Sequence, residues 1–288
     1  MVVHMRMKRW VAIALLGVFW VGGPAGAAPA ASGVGSPAGT MIVDYVGVAR
    51  GLTVMALRAR YTMRPDGYDA QLAFRTAGMF GLFLHANNVT TVSGQFLGDV
   101  VRPAQLDSRG RMRGVDRITK MIYQHGDPVV ETLVPDLLDE RTKVPPELMP
   151  GTVDNVSASL LLLHEVATYG ACNGGVRSFD GRRVADLKAH FAGWDVMAPN
   201  RRTIFAGKAM RCDFTSAQLA GFVKNQPEAE LRKPKPGTIW VAALVPGGVP
   251  VPVRVDFENH NAGQVSLFLT AVTPGGDPCC GGDEISPP

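Results

Sequence analysis

Alternating apolar and polar positions predict paired β-strands along much of this chain. Apolar side chains recur at every second position in residues 55–61 and again in residues 68–74, and Pro-Asp-Gly at 65–67 separates the two runs. A period of two places one face of a strand against a core and the other against water. Proline presets the entry of a turn, and Asp-Gly tolerates positive φ. The two runs therefore predict a β-hairpin.

Two further segments carry the same alternation. Residues 185–191 follow an Asp-Gly turn, and residues 251–257 precede a turn at 259–263 that leads into residues 265–269. Pro250 and Pro252 cannot donate hydrogen bonds to a neighbouring strand. We therefore expect the strand that contains them to lie at a sheet edge or to begin at a bulge.

Helices are predicted at two places only. Thr152 or Asp154 caps a helix that continues to about residue 166, and four consecutive leucines at 160–163 exceed a single helical face. Such a helix should be deeply buried and fill the mouth or the concave side of a curved sheet. A shorter helix is expected from residue 215 or 216 through 223.

These elements together predict a mainly β protein. Its fold class is a curved antiparallel sheet with one or two short helices. We expect a flexible arm at residues 28–39, a single β-rich domain at 40–273 and a flexible Gly/Pro-rich tail at 274–288, since all-β folds of this size are often one domain.

The first 27 residues have the pattern of a secretory signal peptide. Three basic residues precede an apolar run at 10–21, and Ala-Gly-Ala at 25–27 supplies small residues for cleavage. An uncleaved membrane anchor is the alternative, but Gly-Gly-Pro at 22–24 interrupts the run before the length of about 20 residues that spanning requires. The sequence thus predicts a periplasmic protein without a stable membrane anchor after cleavage.

Charge gives no support for nucleic-acid binding. The chain has 29 Lys and Arg residues, 25 Asp and Glu residues and a net charge of +4. Loss of the leader removes three cations and no anions, which leaves a net charge of about +1. Basic clusters at 109–117, 182–183 and 201–202 are interpreted as solvated turns or strand faces rather than phosphate sites.

Four cysteines allow one covalent prediction. Cys172 and Cys212 flank the segment after the Asp-Gly turn, and we expect a disulfide between them in an oxidising compartment. They lack the C-x-x-C spacing of a redox-active pair. Cys279 and Cys280 lie in the predicted tail, where they are interpreted as exposed thiols or a strained local disulfide. Metal binding or cross-linking of two chains is the alternative for that pair.

No arrangement of residues predicts catalysis. His164-Glu165 begins like a zinc-protease helix, but Thr168 occupies the position of the second histidine. Ser157 lies two helical turns from His164, too far for direct proton transfer. Carboxylates at 136, 139 and 140 are interpreted as a solvated loop. We therefore expect a protein that is not an enzyme and has no cofactor or metal site.

The order of short segments resembles an exported bacterial family, domain of unknown function family 3108. The resemblance runs from about residue 45 to 272, and the residues that carry it are Tyr45-Val46-Gly47, Gly67-Tyr68, Thr76-Ala77-Gly78, Asp154-Asn155-Val156-Ser157, Phe179-Asp180-Gly181-Arg182-Arg183, Gly207-Lys208-Ala209, Cys212, Trp240 and Val251-Pro252-Val253-Arg254-Val255. Two positions depart from the family pattern, Asn155 in place of Pro and Val184 in place of an aromatic residue. The resemblance implies an exported β-rich protein whose curved sheet forms an open barrel or a β-spiral like those of lipoprotein carriers. It implies no catalytic residues.

Two functions are compatible with this sequence. In one, the sheet has a packed core, and its edges bind an envelope protein in a role in cell-envelope maintenance. In the other, the concave face carries a lipid or another apolar ligand across the periplasm. The first is favoured, since inward aromatic and branched residues are more often core than pocket. The residues expected in the core or facing the ligand are Leu57, Tyr61, Tyr68, Leu72, Phe74, Val255 and Phe257.

Overall fold

A computed structural model describes residues 38–83, 85–136, 140–259 and 263–275. The predicted leader, nearly all of the predicted arm, and the tail with Cys279 and Cys280 lie outside these residues. So does position 139 of the predicted acidic loop.

Thirteen strands of the described chain form a single antiparallel sheet, with the order β7-β6-β5-β4-β3-β2-β1-β13-β12-β11-β10-β9-β8. The strands are β1 (Gly39–Ala49), β2 (Leu52–Arg64), β3 (Gly67–Thr76), β4 (Ala86–Leu97), β5 (Val100–Met112), β6 (Val115–Gln124), β7 (Asp127–Val134), β8 (Gly174–Phe179), β9 (Val184–Met197), β10 (Gly207–Ala220), β11 (Lys235–Ala242), β12 (Val251–Asn259) and β13 (Gly263–Pro274). The helices are α1 (Gly78–Phe83), α2 (Asn155–Tyr169) and α3 (Glu228–Leu231), with a 3-10 turn at Pro146–Leu148. The predicted mainly β class is confirmed. Every strand pairs with the next strand in the sequence except β7 with β8, which are the two edges, and β1 pairs with β13.

The predicted hairpin is confirmed as β2 and β3. Leu57 lies opposite Phe74, Ala59 opposite Leu72, and Tyr61 opposite Ala70. Cross-strand partners share one face of a sheet. The apolar residues of both strands therefore lie on one face, as the alternation predicts.

The proline-containing strand β12 is internal rather than at an edge. It pairs with β11 on one side and β13 on the other. Its pairing with β11 shifts register at Trp240/Val241, where Val241 lies opposite Pro252. The expectation of a bulge is confirmed and that of an edge is wrong, because the bulge accommodates the missing donor.

The predicted short helix at 215–223 is wrong. Residues up to Ala220 continue β10, in which Ser216 pairs with Leu187 of β9 and with Lys235 of β11. Both neighbouring strands pair with residues 215–216, and β9 continues to pair with residues 217–220. Tertiary pairing therefore overrides a helical start signal that was read from a single serine or threonine.

Helix α2 follows the prediction closely. The Asp154 side chain caps it by accepting hydrogen bonds from the backbone N–H groups of Val156 at 2.9 Å and Ser157 at 2.8 Å. Gly170 ends the helix in the left-handed conformation. The leucines at 160, 161 and 163 are buried, and Leu162 packs against the same core. The helix lies against β4, β5 and β8, which accounts for its apolar surface. No helix among the described residues is long and apolar enough to span a membrane.

The sheet curls into a nearly closed barrel whose seam lies between the edge strands β7 and β8. Residues just before α2 cover the β8 edge: the Val153 N–H donates to Arg177 O at 3.0 Å, and the Phe179 N–H donates to Val153 O at 2.8 Å. Arg182 crosses the seam, donating from Nη2 to the carbonyl oxygens of Val134 at 3.0 Å and Pro135 at 3.1 Å. Side chains and a loop, rather than a strand pair, thus close the barrel.

Candidate functional site

One part of the barrel is packed, and another part encloses a cavity of about 700 Å³. The packed part lies around β1–β6 and α2, where Tyr45 and Tyr61 are buried and donate hydrogen bonds to the carbonyl oxygens of Pro252 and Pro250. The cavity lies between the inner face of β8–β12, the first turns of α2 and the segment at 221–236. Binding sites for small molecules have volumes of roughly 300–1,000 Å³, so this cavity has the size of a ligand site.

The lining of the cavity combines apolar walls with a charged end. Its apolar residues are Ala185, Leu187, Phe214, Val223, Leu231, Pro236 and Phe257. Its polar and charged residues are Arg141, Asn155, Ser159, Ser178, Asp180, Arg183, Ser216, Gln218, Gln226, Lys235, Glu258 and Asn259. None of the described lining residues is a His, Cys or Tyr.

Strand register orders these residues along the barrel. Phe214 lies opposite both Ala189 and Gly237, and Gly237 lies opposite Phe257, so the two phenylalanines are at one level. Arg183 precedes Ala189 by six residues of β9, about 20 Å in an extended strand. The two partly buried aromatic rings therefore lie at the level of the sheet that is two residues from the buried Cys212, and the arginine lies at the turn before β9.

The charged end is built by the turn between β8 and β9. Asp180 Oδ1 accepts the backbone N–H groups of Arg182 at 2.9 Å and Arg183 at 2.7 Å, and Oδ2 accepts Nε and Nη2 of Arg183 at 2.8 and 2.6 Å. Gly181 has φ of 87°, which favours glycine. The aspartate thus fixes both the turn and the direction of the Arg183 side chain.

Arg141 reaches the same end from the loop after β7. Its Nη1 donates to Gly221 O at 2.8 Å, and its backbone pairs with Val223. Gly221 has φ of 76° and lies so close to the Arg182 backbone that a Cβ would overlap it. The loop with Arg141 is thereby attached directly to the Asp180–Arg183 turn.

The arginine charges at this end are only partly compensated. Burial lowers the pKa of Arg141, and the nearby Arg183 and Arg117 lower it further, while Asp180 and Glu140 oppose them. Burial also lowers the pKa of Arg182, with Asp180 opposing. Of Arg141, Arg182 and Arg183, only Arg183 has a raised pKa, because the Asp180 carboxylate lies beside it. The cluster therefore favours a further anion.

The seven residues predicted to be core or ligand-facing separate in the structure. Phe257 lines the large cavity. Tyr61 and Tyr68 are buried in the core, and Leu57 and Leu72 pack against it. Phe74 and Val255 are partly buried on their strands and line neither this cavity nor the smaller one described below.

Sequence reasoning missed Arg141, Asp180 and Arg183 as site residues. The sequence indicates a solvated turn for the basic pair at 182–183; Arg183 is exposed in the turn, as expected, whereas Arg182 is partly buried. Arg182 donates from Nη1 to the buried Thr119 at 2.6 Å, and Arg183 lines the cavity. The aspartate before the pair was the available signal, because an Asp-Gly-Arg-Arg run can hold one guanidinium in place.

The residues examined for catalysis have structural roles. The Tyr68 hydroxyl donates to Ser157 Oγ at 2.6 Å, and Ser157 Oγ donates to Asp154 Oδ2 at 2.6 Å. The His164 ring stacks on Phe96 with centroids 4.1 Å apart. Within the described residues, no three His, Cys, Asp or Glu side chains are placed to share a metal ion.

The predicted disulfide is confirmed. Cys172 and Cys212 are bonded, with Cα atoms 6.1 Å apart. The bond joins the chain just after α2 to the inner face of β10, where Met210, Leu162, Val166 and Ile239 surround it. It therefore fixes the C-terminal end of α2 inside the sheet.

A smaller cavity of about 410 Å³ lies beside residues 195–205. Arg254 stacks there on the rings of Trp240 and Phe268, 4.9 and 5.2 Å from their centroids, and Asp195 accepts the Trp240 indole N–H at 2.7 Å. These paired groups order the surface of the sheet and leave no obvious unsatisfied partner for a ligand.

The fold therefore defines a nearly closed antiparallel barrel that holds a helix and a ligand-sized cavity. The family described as "Protein of unknown function (DUF3108)" matches residues 41–270, and this chain belongs to that family. None of the curated proteins matches the sequence.

Three solved structures have a similar β architecture. A β-barrel-like protein of domain of unknown function DUF1849 from Brucella abortus has a TM-score of 0.45 and 11% identity, with 82% of this chain and 98% of that chain covered. A candidate lipoprotein from Parabacteroides distasonis has a TM-score of 0.32 and 10% identity, with coverage of 83% and 96%. A candidate outer membrane lipoprotein-sorting protein domain from Vibrio parahaemolyticus has a TM-score of 0.29 and 9% identity, with coverage of 85% and 88%. At these TM-scores the similarities do not inform function.

Proposed function

We propose that this protein is a non-enzymatic binding or carrier protein of the bacterial periplasm that holds an amphipathic ligand in its large cavity. The observation that carries the proposal is a cavity of about 700 Å³ on the concave face, whose lining includes Leu187, Phe214 and Phe257. Ligand sites in proteins are concave, have volumes of roughly 300–1,000 Å³ and combine apolar side chains with polar groups. A space of this size and lining therefore supports a ligand site.

The lining residues favour binding over catalysis. Asp180, the carboxylate at the charged end, already accepts hydrogen bonds from two backbone N–H groups and from Arg183. A general base needs a free lone pair aimed at the reacting atom. The periplasmic location is supported by the signal-peptide pattern and by the disulfide, since disulfides persist outside the cytosol.

The direct test of the proposal is binding of an uncharged apolar probe. We expect N-phenyl-1-naphthylamine to bind the purified mature protein at one site, with a saturable rise in fluorescence. Leu187→Trp places a larger ring in the cavity and should weaken binding tenfold or more. Val130→Trp, on the exposed edge strand β7, is the control and should bind as the wild type does. A wild-type protein that gives no saturable signal would rule out the proposal.

Native mass spectrometry of protein purified from its own periplasm provides an independent test. We expect an added mass that organic extraction removes and that Leu187→Trp protein lacks. An unliganded wild-type protein in that preparation would count against a carrier role.

A second candidate function is binding of another envelope protein, as the sequence analysis favours. One observation supports it: Phe191, Trp194 and Val196 of β9 are exposed, with Val196 82% accessible. Phe191 and Trp194 pack edge to face with centroids 6.4 Å apart. Exposed apolar groups of this kind are typical of interaction sites. Crosslinking through a photoreactive residue at 194 tests this role, and only a specific partner lost in Trp194→Ser would support it.

A further inference from the structure

We infer that the bound amphiphile has an anionic head group, a carboxylate or a phosphate, which Arg141 and Arg183 hold at the end of the cavity. This inference rests on the proposed function and names the ligand class for the same site. It follows from charge compensation, from the hydrogen-bonding groups left unused, and from the order of residues along the barrel.

Among the described residues, Arg141 is the cation of the lining that forms no salt bridge. Arg183 is paired with Asp180, and Lys235 Nζ lies 3.2 Å from Glu258 Oε1. For Arg141, the structure shows one hydrogen bond, to the neutral carbonyl of Gly221. Arg183 and Arg117 lie close enough to disfavour its charge, and Asp180 and Glu140 offset only part of this effect. An anion beside Arg141 would relieve this repulsion.

Unused hydrogen-bonding groups point to the same end. Arg117 Nε and Arg182 Nε are buried without a hydrogen-bond partner, and so is Gln226 Oε1, whose residue lines the cavity. Carboxylates and phosphates bind guanidinium groups through paired, charge-assisted hydrogen bonds. A head group with an additional hydroxyl would also supply a donor for Gln226.

The order of residues along the barrel sets the orientation of the ligand. Phe214 and Phe257 lie at one level of the sheet, and Arg183 lies about 20 Å away along the direction of β9. An apolar tail would therefore lie along the phenylalanines, and the head group would lie at the arginines. A fully apolar ligand would leave these charges without a partner, and a soluble anion would leave the aromatic side chains uncovered.

The test compares ligands that differ only in the head group. Decanoate and decanol are titrated at pH 8 as competitors of N-phenyl-1-naphthylamine. We expect wild-type protein to bind decanoate at least tenfold more tightly than decanol, with a preference that shrinks at high salt. Decyl phosphate separates the two anion types: tighter binding than decanoate assigns a phosphate head group, and weaker binding assigns a carboxylate.

Variants locate the head-group site. Arg141→Gln should weaken decanoate tenfold or more and change decanol less than twofold, whereas Arg141→Lys should keep most of the preference. Arg201→Gln, on an exposed loop, makes the same charge change and is the control. Equal wild-type affinities for decanoate and decanol overturn the inference even if Arg141→Gln fails to fold. If the wild-type protein still binds the probe in that case, the proposed function stands without the head-group inference. A wild-type protein that does not bind the probe refutes the proposed function and the inference together.

Discussion

The side chain of Glu165 has a raised pKa that the sequence alone does not predict. Burial on α2 and the negative charge of Asp99 raise its pKa from about 4.5 to about 7. Asp99 lies in the turn between β4 and β5, 66 residues earlier in the chain. Sequence reasoning examined Glu165 only as part of an incomplete zinc motif, because long-range proximity of two carboxylates is not encoded in local spacing.

Glu165→Gln should therefore stabilise the protein at alkaline pH. A raised pKa favours the protonated carboxyl in the folded state, so this contribution to stability is present below about pH 4.5 and is lost as the pH rises through 7. The variant should exceed the wild type at pH 8 by at most about 3 kcal/mol, reduced by partial solvent exposure, and match it near pH 4. Denaturant unfolding at the two pH values measures the difference. A gain that is equal at both pH values would show that ionisation is not its cause.

Asp154 combines a helix cap with a buried hydrogen-bond chain. Its carboxylate accepts two backbone N–H groups of α2 and the Ser157 hydroxyl, and Tyr68 of β3 donates to the same serine. The capping role of Asp154 was predictable from the sequence. The link to Tyr68 was not, since it joins residues 89 positions apart.

Asp154→Ala should destabilise the protein by about 2 to 4 kcal/mol, because it leaves buried donors without a partner. Asp154→Asn keeps one acceptor oxygen and should lose less, about 1 kcal/mol. Tyr68→Phe removes only the hydroxyl that ends this chain of hydrogen bonds, and it should also lower the stability by about 1 kcal/mol. Urea unfolding at neutral pH gives the three values. If alanine proves no worse than asparagine, the carboxylate does not have this structural role.

At the scale of elements, the sequence predicts those features that rest on local chemistry. The hairpin of β2 and β3, the cap and burial of α2, and the bulge in β12 all follow from side chains within each segment. The helix predicted at 215–223 and the edge position of β12 were wrong, because both depend on which strands lie alongside. Arg141 was missed for the same reason: its partner Gly221 is 80 residues away.

The disulfide attaches α2 to β10, and its loss should weaken that attachment. Closing a loop of this length contributes about 4 kcal/mol on the chain-entropy estimate, less any strain. We expect Cys172→Ala/Cys212→Ala to lower the melting temperature of oxidised protein to that of reduced wild type. Cys279→Ser/Cys280→Ser is the matched control and should keep both the intramolecular bond and the melting temperature. Peptide mapping that finds Cys172 and Cys212 as free thiols in oxidised wild type would contradict the assignment.

For the whole molecule, closure of the barrel depends on Arg182. Arg182→Ala removes the hydrogen bonds to Thr119, Val134 and Pro135, and we expect a loss of about 1 to 3 kcal/mol. Hydrogen exchange should become faster in β7 and stay unchanged in β1 and β2, which lie far from the seam. Arg201→Ala serves as the control. Unchanged exchange in β7 would mean that the covering loop alone holds the seam.

The pairing of β1 with β13 has a consequence for the order of folding events. Strand β1 can pair with β13 only after β13 has been synthesised, because Leu269, the partner of Tyr45, lies 224 residues later in the chain. Contacts this distant in sequence form slowly. Until that final strand is synthesised, no strand pairing joins the β1–β7 half of the sheet to the β8–β12 half, so the complete sheet forms only after the end of the domain is available.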